Sequence, residues 1–403
     1  MFSAVLTLIA VLVGIPAFAL LTLTLAAIVR KYRGALLSQA SSEPTLLLPR
    51  LAILVPAHNE SHHLVPTVKS LFVQLKQRGQ GDRLIVIADN CSDDTARQAR
   101  QAGATVIERI AALKRGKGYA LAFGVDYLRP DPPDVVVVVD ADCLLSDGAL
   151  SAIAQVCQET GRPVQMPSLM YATEGAGLTI RTMEFAMLMK NFVRPLGSSQ
   201  LGDACHLMGT GMALPWALIA KAQLATPHIV EDLMLGIDLA SLGYPAVFLP
   251  AFPVTSTFMN NPDIVRKQKE RWEHGYLQVM LAKLPSMITI AFRRRDLSLA
   301  VLALDLSIPP IALYFMVLGT VLIGTGLAAC FSAALYDALW TLLGVDVCFA
   351  MAIVLGWWFF GRRILTLSDL LKIPLYAIWK LPIYLTFILK KRARWIRTER
   401  DDR

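Results

Sequence analysis

The sequence has little charge and no paired cysteines. Of its 403 residues, 55% are hydrophobic and only 17% charged, well to the apolar side of a soluble globular domain. Its six cysteines, Cys91, Cys143, Cys157, Cys205, Cys330 and Cys348, form no CxxC pair and no histidine-linked zinc spacing. That argues against a disulfide framework or a zinc site and suits a reducing compartment or a lipid environment. The net charge of +8 does not point to nucleic acid. The basic residues cluster beside hydrophobic spans, where positive charge sets membrane topology, so the expected partner is a lipid bilayer.

The apolar excess sits in the first thirty residues and the last hundred or so. Residues 4–29 are an uncharged run long enough to cross a bilayer. A cleaved signal peptide usually has half this apolar length, preceded by positive charge. Here Arg30, Lys31 and Arg33 follow the run, so the N-terminus is expected outside and the bulk of the chain inside, with a polar linker over 38–49. Membrane character returns near residue 284. Arg293, Arg294 and Arg295 precede the apolar run 297–331, in which Pro309–Pro310 predicts a kink. A second run, about 338–360, is followed by Arg362 and Arg363, giving an out-and-back hairpin. Asp305 inside the first run is costly unless it faces protein or water, and a place near the membrane interface is expected. Residues 370–389, broken by Lys372, Pro374, Lys380 and Pro382 and followed by Lys390-Lys391-Arg392, read as an interfacial or re-entrant segment.

Between these regions strand and helix patterns alternate. Residues 51–56, 84–88, 104–107 and 135–140 are short aliphatic runs, as in strands covered on both faces. Helix-like stretches lie at about 62–78, 93–102 and 116–128, with Asn90, Ser92 and Asp93 as N-cap candidates for the second. The expected fold is α/β, a doubly wound sheet flanked by transmembrane helices, with ligands at the carboxyl ends of its strands.

Chemistry-bearing residues gather at those ends. Pro56-Ala57-His58-Asn59-Glu60 closes the first strand and Asp89 the second, where turn and capping roles alone would explain them. Asp140-Ala141-Asp142 follows five valines. Alternate residues of an extended chain point to one side, so both carboxylates could meet one hard cation, Mg²⁺ or Mn²⁺. A lone DxD is common by chance; its position after a buried strand gives it weight. Further on, Gln268, Arg271 and Trp272 fall at i, i+3 and i+4, one face of a helix. They offer an amide, a guanidinium suited to phosphate and an aromatic platform, although a cationic helix lying on the membrane would look the same.

Pro-Ala-His-Asn-Glu, the Asp89 strand end, Asp-Ala-Asp, the Glu231-Asp232 pair and Gln-x-x-Arg-Trp occur in that order. The pattern resembles membrane-bound glycosyltransferase family 2, which includes cellulose, hyaluronan and poly-N-acetylglucosamine synthases and ceramide glucosyltransferases. The resemblance covers about residues 50–280 and implies a GT-A fold and inversion at the anomeric carbon. By it, Pro56, Ala57, His58, Glu60 and Asp89 would hold the nucleoside, uridine by expectation, with Lys117 nearby. Asp140, Ala141 and Asp142 would serve the diphosphate and its metal. Asp232 matches the catalytic base, ahead of Glu231 on the resemblance alone, since adjacent acids cannot be ranked from sequence. Gln268 and Arg271 would hold the diphosphate and Trp272 the acceptor, beside a loop formed by Met208, Gly209, Thr210 and Gly211. Ala57-His58 and Val230 depart from the commoner Thr-Tyr and Thr of the family, which leaves the base contacts less defined than the acids. His206 and His274 lie near the motifs with no assignable role.

The resemblance implies a chain divided into an N-terminal anchor (1–37), a glycosyltransferase domain (50–263), amphipathic interfacial helices with QxxRW (264–296), a transmembrane hairpin (297–361) and an interfacial segment with a basic tail (362–403). It implies transfer from a nucleotide sugar, a UDP-sugar by expectation, to a growing polysaccharide by a multi-pass protein of the cytoplasmic membrane with a cytosolic catalytic domain. About three spans leave little material for an export channel, so polymerisation would need an oligomer or export partner. Addition of one sugar to a lipid acceptor shares every motif. A non-catalytic subunit of a glycan-export complex would need none of the acids.

Overall fold

The computed structural model describes residues 2–37, 48–79, 81–258 and 262–373. The linker expected over 38–49 and the segment expected over 370–389 lie wholly or largely outside them. The chain forms two compact units: 39–173, 203–279 and 394–403 make one; 1–38, 174–202 and 280–393 make the other.

The first unit is the α/β part. Its main sheet draws on β1 (Leu51–Ala57), β2 (Arg83–Asp89), β3 (Thr105–Arg109) and β4 (Val135–Val138). Beyond them come β5 (Leu144–Leu145), β6 (Val164–Gln165), β7 (Ser168–Tyr171), β8 (Met212–Pro215), β9 (Val247–Phe248) and β10 (Val254–Thr257). The main sheet runs in the order β3-β2-β1-β4-β8-β6-β9, and a small second sheet in the order β5-β10-β7. β3, β2, β1 and β4 are parallel, as the aliphatic runs predict. β8 lies antiparallel to both β4 and β6, so the sheet is mixed.

Strand alternation divides the core between two faces. Leu51, Ile53 and Val55 of β1, Leu84 and Val86 of β2, and Val135 and Val137 of β4 pack with Leu64, Val68 and Leu71 of the helix Leu64–Arg78 and with Ile153 and Cys157 of the helix Ala149–Thr160. The opposite face takes the helix Lys117–Leu128. Its Gly124 lies so close to the sheet that a Cβ there would stand 2.6 Å from Ile87 Cδ1. Each buried aliphatic side chain adds about 1.5–3 kcal/mol relative to exposure, so continuous hydrophobic strands are what a sheet covered on both faces requires. The helix expected at 93–102 runs Thr95–Gln101, and of the three N-cap candidates Asp93 reaches its start, accepting from Thr95 N at 3.0 Å.

The second unit is helical. Among the described residues four helices are long and apolar enough to cross a membrane: Val5–Arg33, Ile311–Ala329 and Ala333–Gly361 in this unit, and Gln268–Arg294, whose residues 268–279 belong to the first. The 297–331 run is not one kinked helix. It forms Leu297–Leu306 and Ile311–Ala329, broken at Ser307–Pro310, because Pro309 and Pro310 supply no N–H to continue the ladder. Asp305 faces protein. It is buried, its carboxylate accepting from Arg194 Nε at 2.6 Å while Arg194 Nη2 donates to its carbonyl at 2.7 Å. Arg194 belongs to residues 174–202, which the sequence boundaries put within 50–263. They fold with the apolar helices: a Cβ on Gly197 would lie 2.0 Å from Leu23 O, so the two backbones touch there.

The interfacial region expected at 264–296 is a single 33-residue helix, Pro262–Arg294. Its first half is less exposed than a surface helix would be: Glu273, His274, Tyr276 and Leu277 are all buried.

Candidate active site

The site is assembled at the carboxyl ends of the parallel strands. β1 ends at Ala57, and the chain turns through Asn59, whose φ of 54° is left-handed, a conformation Asn tolerates. Asn59 Oδ1 accepts from Ser92 N at 2.8 Å, and Glu60 N donates to Thr95 Oγ1 at 2.8 Å. His58 Nδ1 lies 2.7 Å from the Asp89 carbonyl oxygen; a carbonyl only accepts, so Nδ1 carries the proton. The 56–60 turn is thereby stitched to the loop after β2. Pro56 and Ala57 belong to β1 itself, with Ala57 buried.

Asp89 is buried, and its carboxylate accepts from the Arg109 guanidinium and from Asn90 Nδ2 at 2.8 Å. Arg109 stands opposite Asp89 in the β2–β3 register, and its other arm donates to Lys114 O at 2.6 Å. Sequence reasoning missed Arg109. The signal was present: an acid and an arginine each close one of two consecutive strands.

A second cluster follows β4. The chain leaves the strand at Val138 and turns, with Cys143 N donating to Asp140 O at 3.1 Å, so the two acids do not stand on extended strand as expected. Val139, Ala141 and Cys143 are buried while Asp140 and Asp142 are half-buried. Burial raises the Cys143 thiol well above its ordinary value, helped by Asp142 and Asp140, so it stays a neutral thiol.

Asp140 N donates to Thr210 Oγ1 at 3.0 Å. The Lys117 ammonium binds the Asp140 carboxylate and donates to Gly209 O at 2.7 Å. Burial by itself would lower the Lys117 pKa, but the acids around it, Asp140 above all, raise it, so it stays an ammonium. Gly209 has a φ of +85°, and a Cβ there would lie 2.8 Å from Asp232 Oδ2 and 3.2 Å from Lys117 Nζ. Lys117, Asp140, Gly209, Thr210 and Asp232 therefore converge, and residue 209 has room for glycine alone.

The loop Met208–Gly211 is held by Gln165, a second residue that sequence reasoning did not single out. Gln165 is fully buried on the two-residue β6. Its Oε1 accepts from Met208 N at 2.8 Å, and its Nε2 donates to Met166 O and Thr210 O, each at 2.8 Å.

Glu231 and Asp232 form the first turn of the helix Glu231–Ser241, where free N–H groups and the helix dipole favour negative charge. Burial and the adjacent Asp232 nevertheless push Glu231 up to about 8, against the pull of Lys117. The helix carrying Gln268, Arg271 and Trp272 approaches this turn through Gly275, where a Cβ would lie 3.2 Å from Val230 Cγ1. Gly275 follows Arg271 by four residues and Gln268 by seven, so those side chains leave the same helical face. His206 and His274 are buried.

Among the described residues no group of three or more His, Cys, Asp and Glu side chains could hold a metal ion. Asp140 and Asp142 supply two hard oxygen donors, and the bound ammonium shows that Asp140 accepts a cation. This fits a cation that takes one or two carboxylates and fills its sphere with phosphate and water.

Comparison with known proteins adds the following. A family model described as "Glycosyltransferase like family 2" matches residues 49–275. A 4,4'-diaponeurosporenoate glycosyltransferase of Staphylococcus haemolyticus (strain JCSC1435) is 26% identical over 200 residues, 46% of this chain and 50% of that protein. A probable glycosyltransferase of Bacillus subtilis (strain 168), YdaM, is 24% identical over 258 residues, 61% of this chain and 60% of that one. The match thus spans about half to three-fifths of these relatives' length. Among solved structures, the mannosyltransferase PcManGT of Pyrobaculum calidifontis, in complex with GDP-Man and Mn²⁺, aligns with a TM-score of 0.50 at 13% identity. That alignment covers 94% of this chain and 100% of the other.

Proposed function

Because the chain belongs to glycosyltransferase-like family 2 and has a GT-A-like fold, we propose that it moves a sugar from a nucleotide diphosphate donor to a glycan hydroxyl at a membrane surface. The observation that carries this is the convergence of Asp232, Lys117 and Asp140 on Gly209 at the strand ends. There a base for the acceptor stands beside groups suited to a diphosphate.

A sugar hydroxyl is a poor nucleophile, and a positioned carboxylate that takes its proton lowers the barrier. Burial and the adjacent Asp232 raise Glu231 toward its protonated form, which favours Asp232 as the base. It acts as the hydroxyl attacks the anomeric carbon opposite the leaving diphosphate, inverting that centre. The leaving group gains negative charge, which Arg271 and Lys117 stabilise. Asp140 and Asp142 would hold Mg²⁺ or Mn²⁺, which supplies Lewis-acid stabilisation of the diphosphate oxygens. Asp89, with Arg109 and His58, shapes the nucleoside end, for which uridine is the proposed base. Trp272 offers a face to the acceptor sugar.

A second reading, one sugar added to a lipid, is favoured by the relative whose name makes 4,4'-diaponeurosporenoate its acceptor. One experiment tests both. Membranes containing the full chain are incubated with labelled UDP- and GDP-sugars, with Mn²⁺ or with excess chelator, and products are partitioned between organic and aqueous phases. Label entering a high-molecular-mass aqueous product supports the glycan reading, and label in a small organic-soluble product the lipid reading. Transfer that persists undiminished in chelator removes the metal assignment, and no transfer from any donor removes the function.

A further inference from the structure

Within the helical unit, the last part of the helix Pro262–Arg294 turns directly into the helix Leu297–Leu306, and a cavity of about 920 Å³ opens along the pair, with Ile15 of the first helix also lining it. Its floor is small: Ala291 and Ala303 are buried, and Ala300 faces the opening. Its rims are large and exposed: Ile288 at 54%, Phe292 at 85% and Leu297 at 63%. From the turn the lining continues to Leu304, eight residues beyond Asp296, a depth of about 12 Å at the helical rise. The opposite end of the groove is basic, with Arg293 and Arg295 among its lining. Neither arginine forms an ion pair with another described residue. Asp296 also lines this end and caps the helix, accepting from Leu299 N, so the two arginines leave one net positive charge there.

The turn itself is informative. Asp296 N donates to Ala291 O at 3.0 Å, Arg295 N to Phe292 O at 3.4 Å, and Arg295 has a φ of 53°. This is a helix C-terminus closed by a left-handed residue, where glycine is the usual choice because a Cβ is strained. The chain places an arginine there instead. A strained residue held at a turn is a pointer to function, and this one sets a guanidinium at the mouth of an apolar groove.

We infer that the groove binds one phospholipid with an anionic headgroup, its phosphate on Arg293 and Arg295 and an acyl chain along Ala291, Ala300 and Ala303. Charge complementarity selects the occupant: two unpaired guanidiniums want an anion, and a 12 Å apolar trough wants a hydrocarbon chain, which a free phosphate lacks. A chain lying over alanines replaces contacts that bulkier floor residues would otherwise make. This site is independent of sugar transfer and stands whether or not the proposed activity does.

The test uses the full chain, mixed in detergent with equal amounts of phosphatidylglycerol and phosphatidylcholine, repurified, and its retained lipid quantified by mass spectrometry. Phosphatidylglycerol should be retained about tenfold or more over phosphatidylcholine, as two arginines at about 1 kcal/mol each allow. The double variant Arg293→Gln/Arg295→Gly should bring the ratio to near one. Its melting temperature should be unchanged or higher, since glycine suits position 295. Ala300→Phe should lower the total retained several-fold with the arginines intact. Arg362→Gln/Arg363→Gln, outside the groove, should retain the wild-type ratio. Equal retention of the two lipids by the wild type, or a ratio that survives the 293/295 variant, overturns the proposal. So does undiminished retention in Ala300→Phe, which would leave the arginines as surface charges only.

Discussion

Glu231 and Asp232 are neighbours on one helical turn with unequal surroundings. Glu231 is pushed up to about 8 by burial and by Asp232, while Asp232 lies against Gly209 and Lys117. Asp232→Asn should lower turnover about 10²–10⁴-fold, the usual worth of a general base, with donor binding nearly intact. Glu231→Gln should keep most of the activity, since burial and Asp232 already hold the residue it replaces toward its uncharged form. Parallel turnover and donor-titration measurements decide it: a Glu231→Gln loss as deep as that of Asp232→Asn would reverse the assignment. Linkage gives a second readout. A carboxyl whose folded value lies above its unfolded value costs stability as pH rises from the ordinary carboxylate range to about 8. Glu231→Gln should therefore gain stability relative to wild type between pH 5 and pH 8. The sequence could point to this pair of acids, but what distinguishes their surroundings, Lys117 and Gly209, lies far away in the chain and meets them only in the fold. Arg109 escaped for a different reason. Its partner Asp89 was legible, but the pair exists only once two strands have a register.

At the scale of elements, long hydrophobic strands were readable and short ones were not. β1, β2 and β4 are buried on both faces and announce themselves as unbroken aliphatic runs. β6 and β9 have two residues each and no periodicity to detect, yet β6 carries Gln165, which ties down the loop under Asp140 and Lys117. The antiparallel insertion of β8 between β4 and β6 likewise follows from pairing, not from local pattern. Gln165→Leu tests the importance of this small strand. It would strand the Met208 N–H and the Met166 and Thr210 carbonyls, each costing about 1–3 kcal/mol if left buried and unpaired. Thermal unfolding should show a marked loss. Among molecules that remain folded, kcat should fall more than the donor KM rises, because the displaced loop touches Asp232 and Lys117. Gln165→Glu keeps the acceptor for Met208 N but turns a buried carboxylate oxygen toward the Met166 and Thr210 carbonyls, so it should lose stability as well. A Leu variant with wild-type stability and kcat would mean the loop holds itself.

At the scale of the whole molecule, the basic residues decide between two counts of crossings among the described residues. Among the described residues four helices qualify by length and composition. If all four crossed, Arg293–Arg295 and Arg362–Arg363 would lie on the side opposite Arg30–Arg33, against the tendency of such clusters to remain cytoplasmic. Leaving out Gln268–Arg294 puts all three clusters on one side. That helix is also the weakest candidate, with a mean hydropathy of 1.3 against 2.1 or more for the others. Its N-terminal half carries Glu273 and His274, buried within the α/β unit. Three crossings with the catalytic unit in the cytosol, where nucleotide sugars are made, is the arrangement proposed. Cys330 supplies a native reporter: it is exposed just after Ile311–Ala329, outside the cell with three crossings and inside with four. Cys143, Cys157 and Cys205 are buried and should remain silent. An impermeant maleimide should label Cys330 in intact cells. In a Cys330→Ser background, a cysteine replacing the exposed Gln158 should react only after the cells are opened. Silence at Cys330 until lysis would make Gln268–Arg294 a span. Labelling of the Gln158 replacement in sealed cells would put the donor site outside and leave the proposed transfer without its substrate.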